Sequence, residues 1–285
     1  MAIRNEAHFH VKATDRLPQP SAIERSLLDR VSDLSGRLGD IGPVNIQPWR
    51  QLVTVDEADI GVDVANCIRT IRNDELLDAY AEYHGDWSAI AFSTSDELGR
   101  GSELAGLRQA LQGDLGNLDR FVDYLEELST RVLNGPSSMR NHPIYTAADR
   151  HGRFVEYPAA SSIRDQLGLL LDVLANPATD ALFRATVAYV TIVNVHPFSD
   201  GNGRVARHLF NAVLRDDGLK LGAYVPIKEL IAISRSGLII HTARAWKRWE
   251  WNWIFADMCA AIELSLLLAQ PSESWEFEKH KAGRT

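Results

Sequence analysis

The sequence predicts a mostly α-helical protein: an N-terminal helical region, then a helical core carrying one β-hairpin. Three observations lead there. Apolar residues recur at helical spacing through most of the chain, as in Ile23, Leu27, Val31, Leu34 and Leu38. The run from Leu182 to Val195 is apolar almost all round, the mark of a buried central helix. β-Compatible residues flank a single Gly-bearing loop, Asp149-Arg150-His151-Gly152.

In chain order, residues 1–20 read as a frayed arm with a break at Leu17-Pro18-Gln19-Pro20. Ser21 reads as an N-cap and Glu24, three residues on, completes a capping box. That helix stops near Gly39 to Gly42. Leu52, Val53 and Val55 form a short strand or a buried extended piece. Helical patterns follow at 58–84 and 102–133; Gly106, Gly113 and Gly116 leave the second as one helix or two. Asn134-Gly135-Pro136-Ser137-Ser138 is a break, and the core begins there. Ile144–Ala148 and Arg153–Tyr157 make the hairpin. A helix spans Ser161–Leu174, ended by Asn176-Pro177, and Thr179 or Asp180 caps the buried helix after it. Pro197 ends that helix at Val195–His196, because the residue before a proline avoids α geometry. A helix opens near Arg204, another runs from 227 to 246, and an amphipathic helix ends at Leu268. The cluster Trp249, Trp251, Trp253 and Phe255 reads as core. The division is thus 1–135, a helical region; 136–268, the core; and 269–285, a tail.

The 285 residues carry a net charge of −8, which argues against a general nucleic-acid binder. Cys67 and Cys259 lack metal-ligand spacing, and a reducing compartment fits them. No apolar run approaches membrane-spanning length and the N-terminus has no apolar signal region, so the expectation is a cytoplasmic protein with no membrane partner.

The chemistry is concentrated in His196-Pro197-Phe198-Ser199-Asp200-Gly201-Asn202-Gly203-Arg204-Val205-Ala206-Arg207. Gly201 and Gly203 let backbone N–H groups approach a phosphate, at what becomes a helix N-terminus. Arg204 and Arg207 share a helical face and reach one polyphosphate. Asp200 is a hard oxygen ligand for Mg²⁺ held jointly with phosphates, and His196 takes a proton near neutral pH. The bland alternative is a loop whose Asp and Asn cap the next helix. A cap needs neither the His nor two Arg residues.

This run resembles the motif of the Fic family, His-x-Phe-x-Asp/Glu-Gly-Asn-Gly-Arg-x-x-Arg, at every fixed position. The resemblance implies a Fic-type core that moves AMP from ATP, with Mg²⁺, to a Tyr, Thr or Ser hydroxyl of a protein substrate, itself included. His196 would be the general base and Phe198 the anchor of the loop. Asp200 would hold Mg²⁺, Asn202 with the N–H groups of Gly201 and Gly203 the α-phosphate, and Arg204 and Arg207 the outer phosphates. The hairpin would be the flap that aligns a target by adding a strand to it; from its residues alone it is equally a plain structural hairpin. Ile239-Ile240 stand where relatives carry a tyrosine pair for the nucleobase, which leaves that contact open. Alternatives to AMP transfer are another nucleotide or phosphate-linked group, and a silent nucleotide-binding regulator.

Many members of the family are restrained by Ser/Thr-x-x-x-Glu-Gly/Asn, whose Glu pairs with the second Arg. Ser272 to Phe277 keeps the spacing and makes Glu276 the candidate inhibitor; Glu24 is the second. Pro20 and Arg25 break the pattern around Glu24, and Phe277 breaks it after Glu276. The bland readings are a solvated tail charge and a helix cap.

Overall fold

The computed structural model describes residues 8–55, 60–72, 104–111, 117–146, 154–220, 222–235 and 237–269. The arm is docked, not frayed, from residue 8 onward. His8–His10 form strand β1, and Val11 and Leu17 behind it are buried. Core side chains satisfy the arm's backbone. Gln166 accepts from Thr14 N–H (2.9 Å) and donates to Thr14 O (2.7 Å), and the Trp246 indole donates to Lys12 O (2.9 Å).

A 3-10 turn at Pro20–Ala22 precedes helix α1 (Arg25–Gly36). The turn absorbs Ser21, so the helix starts later and Glu24 stands at its N-cap. The capping box does not form: the Glu24 carboxylate accepts from Asn252 Nδ2 at 2.9 Å. The expected strand or extended piece at Leu52–Val55 is instead the end of α2 (Ile46–Gln51) and a turn, with Leu52 fully buried. Pro48 lies in the first turn of α2, where a backbone N–H has no helical partner to lose. Helix α3 covers Val62–Ile71, the described part of the pattern expected at 58–84. The pattern at 102–133 resolves into two helices, α4 (Leu104–Leu111) and α5 (Leu118–Leu133); Asn117 caps α5 through the N–H groups of Asp119 and Arg120.

The hairpin is present in part. Strand β2 (Phe154–Glu156) faces Tyr145 antiparallel across from Glu156. Thr146 N–H donates to Val155 O (2.9 Å) and Tyr157 N–H to Ile144 O (3.2 Å). The loop at 147–153 lies outside the described residues. The other edge of β2 is occupied: β1 pairs with it in parallel, His8 opposite Phe154 and His10 opposite Glu156.

Helices α6 (Ile163–Leu174), α7 (Ala181–Val195), α8 (Asn202–Asp216), α9 (Ile227–Ile233), α10 (Gly237–Arg248) and α11 (Trp251–Leu268) complete the fold. The helix expected at 227–246 breaks into α9 and α10, with Arg235 left-handed between them (φ 45°). Helix α7 is the buried axis, packed against α8, α6, α10, α1 and α11. Its buried polar residues bond to their own helix: Thr186 to Leu182 O, Thr191 to Val187 O and Asn194 to Val190 O. Trp251 and Phe255 are core as expected, while Trp253 is half exposed and stacks on His241.

The reading that no apolar run approaches membrane-spanning length also needs correcting. Helix α11 reaches the length and mean hydropathy (1.3) of a membrane span, yet two thirds of it is buried inside the fold. It packs on α3, α10 and α1, carries Asp257 against His241 (2.7 Å), and bonds Glu263 to Arg30 of α1.

Candidate active site

The motif folds as a helix end, a turn and a helix start. His196 caps α7 in the left-handed region, φ 53° and ψ 60°. That is a strained choice for a non-glycine residue, taken because Pro197 bars a further helical turn. The imidazole Nδ1 lies 2.9 Å from Val193 O. A carbonyl only accepts, so Nδ1 carries the proton and Nε2 is left with a bare lone pair. The Tyr157 ring, next after β2, stacks on the imidazole at 3.8 Å. Burial pushes the His196 pKa down to about 4; the Arg140 charge adds to this, while Val193 O and Asp200 oppose it. The imidazole is thus neutral over the physiological range.

Phe198 is fully buried and its backbone bridges to Met139, which seats the loop against the segment after α5. Gly201 has φ 78°, and a Cβ there would lie 3.0 Å from Leu133 Cδ2. Positive φ and the close wall of α5 together favour glycine. The first turn of α8 then leaves N–H groups with no helical partner and no side-chain cap, the arrangement an anion can use. Arg204 in that turn and Arg207 in the next, both half-buried, stand on one face. Arg204 donates to Val132 O (3.2 Å) and reaches Asp200 Oδ2 at 3.5 Å. Arg207 lies in the electrostatic reach of the buried Glu229 of α9 and of the Tyr189 phenol.

Asn202 departs from its expected role. Its Oδ1 accepts from Phe198 N–H (2.9 Å) and its Nδ2 donates to Phe198 O (2.8 Å), in a buried position. It closes the loop on itself and shapes the anion site instead of presenting its amide to a phosphate. Asp200 keeps an exposed carboxylate, with Oδ1 accepting from Gly201 N–H at 2.6 Å. Among the described residues no group of three His, Cys, Asp or Glu could hold a metal by itself. One exposed carboxylate beside an anion site does fit Mg²⁺ that arrives on phosphates, since that ion keeps most of its waters.

Glu24 is not brought to the motif: its partner is Asn252 at the start of α11. Glu276 lies outside the described residues. Two residues missed in the sequence stand at the site: Tyr157, stacked on the imidazole, and Arg140, whose guanidinium meets His196 O at 2.7 Å. In the sequence Tyr157 is only the last hairpin residue, and Arg140 is a lone cation with no periodic signal.

Residues 73–214 match the model of the Fic/DOC family. The chain is 34% identical over 100 residues to protein adenylyltransferase fic-1 of Caenorhabditis briggsae, covering 34% of this chain and 20% of that protein. It is 30% identical over 129 residues to protein adenylyltransferase Fic of Nematostella vectensis, covering 41% and 29%. The chain therefore spans less than a third of these curated relatives. A solved Fic family protein from Desulfovibrio desulfuricans superimposes with TM-score 0.49 and 17% identity, over 90% of this chain and 75% of that one.

Proposed function

Starting from a chain that belongs to the Fic/DOC family, we propose that it is a protein adenylyltransferase, moving AMP from ATP to a hydroxyl of a protein. The observation that carries this reading is the imidazole of His196. Its Nδ1 is held by Val193 O and its Nε2 is left to accept a proton, one turn before a helix N-terminus built for phosphates. The names of the relatives support the same class.

In the reaction, the target hydroxyl oxygen bonds to the α-phosphorus while its proton passes to His196 Nε2. The bond from that phosphorus to the bridging oxygen breaks and diphosphate leaves. The N–H groups at the start of α8 hold the α-phosphate, and Arg204 and Arg207 the outer phosphates. Asp200 would hold Mg²⁺ together with those phosphates, and the ion, when bound, neutralises charge on the leaving group.

The segment 144–157 serves as the flap on this reading. One edge of β2 is closed by residues 144–146 and the other by β1. A target strand adding to β2 must displace β1.

The test is intact mass of the protein and of lysate proteins after incubation with ATP and Mg²⁺, beside GTP, CTP and UTP. A gain of one AMP, with the other nucleotides inert, is expected. His196→Ala should lower transfer about 10²–10⁴-fold with ATP binding retained. Equal transfer by the variant would remove the base from the mechanism, and tight ATP binding without covalent AMP would favour a silent regulator.

A further inference from the structure

Arg140 is the least expected residue at the site. It follows the break after α5 and its side chain is almost wholly buried, 4% exposed. A buried guanidinium normally meets a carboxylate. Here all its side-chain bonds go to backbone carbonyls. Nε donates to His196 O (2.7 Å), Nη1 to His142 O (3.0 Å), and Nη2 to Pro158 O (2.5 Å) and Val195 O (3.2 Å). Its own N–H donates to Pro197 O at 2.9 Å.

These acceptors come from three places. Val195 and His196 are the last carbonyls of α7, which a helix cannot satisfy itself and which Pro197, lacking an N–H, leaves open. His142 precedes the first arm of the hairpin and Pro158 follows the second. One planar fork thus ties the residue bearing the base to both ends of the hairpin that stacks Tyr157 on it. A left-handed residue such as His196 is strained and persists only where its surroundings over-determine it. The fork on its carbonyl does that.

We propose that Arg140 is a positioning residue for the transfer: it holds the His196 imidazole and the hairpin in one fixed relation, so that base and target hydroxyl meet in register. The proposal rests on His196 being the base. The groups around the imidazole are Arg140, Asp200, the Val193 carbonyl and the Tyr157 ring.

The experiment compares wild type, Arg140→Lys and Arg140→Met, each alone and combined with His196→Ala. Lysine keeps the charge but reaches one carbonyl, so Arg140→Lys remains foldable where Arg140→Met fails. Thermal melts establish folding, and calorimetry measures ATP binding. A misplacement of about 1 Å lowers rate about 10²-fold, so kcat should fall by about that factor in Arg140→Lys with ATP affinity unchanged. Because Arg140 acts through His196, the loss should vanish when His196→Ala is already present. Imidazole ¹⁵N shifts supply a readout independent of transfer: the Nδ1–H tautomer of His196 should give way to a mixture in Arg140→Lys.

Wild-type kcat in Arg140→Lys, or losses that multiply with His196→Ala, would overturn the proposal. So would a parallel loss of ATP affinity, which marks general scaffold. If the wild type transfers nothing, the adenylyltransferase reading fails on its own, and unchanged ¹⁵N shifts in Arg140→Lys would still sink the role of Arg140.

Discussion

His196 carries a pH signature that can be read in stability. The folded imidazole titrates at about 4, whereas the unfolded chain binds that proton near the ordinary 6.5. Between these values the unfolded state holds more protons, so this residue's share of stability is lost as pH falls through the window. Urea melts from pH 7 to 4 should show a steeper loss for wild type than for His196→Ala; equal slopes would mean the imidazole is not held neutral by the fold. Gly201 makes a second residue-scale prediction. An alanine there must take positive φ, about 1–2 kcal/mol of strain, and press on Leu133. Gly201→Ala should lower Tm and weaken ATP binding through the displaced N–H groups of α8. Wild-type ATP affinity in a folded variant would show that the loop tolerates a side chain.

At the scale of elements, β1 on β2 is the arrangement with the clearest consequence. β1 comes from the start of the described residues and β2 from their middle, and β1 covers a backbone edge of β2 that would otherwise invite a partner. His10 reinforces the pairing through Glu156 at 2.7 Å. A variant lacking residues 1–10 should label more lysate protein with AMP than the full chain does, at equal ATP affinity. Unchanged labelling would mean that targets bind without this edge. The helix α8 shows the opposite case, an element nearly complete in its own sequence. Its start, its arginines and its apolar face were readable from the motif onward, and the structure moved only its first residue, from Arg204 to Asn202.

For the whole molecule, the hydrophobic core runs through both halves of the chain. Helix α11 lies against α3 and α1 of the N-terminal region, with Arg30 clasping Glu263 and Trp246 holding Lys12. A chain cut to residues 136–285 would expose that apolar face of α11. It should bind a hydrophobic dye and melt without cooperativity; a sharp melt like that of the full chain would show that the core stands alone.

The sequence by itself determined the mostly helical class, the buried axis α7, the break after α5 and the motif loop. Each of these is local: a period, a proline or a spacing within a dozen residues states it. Tertiary structure alone decided the partner of β2, the place of Glu24 against Asn252, the part of Asn202 in closing the loop, and the fork of Arg140. Each of those depends on which backbone groups the packed fold leaves unsatisfied, such as the last carbonyls of α7. Which side chain arrives to satisfy them is set by distance in space, and a one-dimensional pattern carries no record of it.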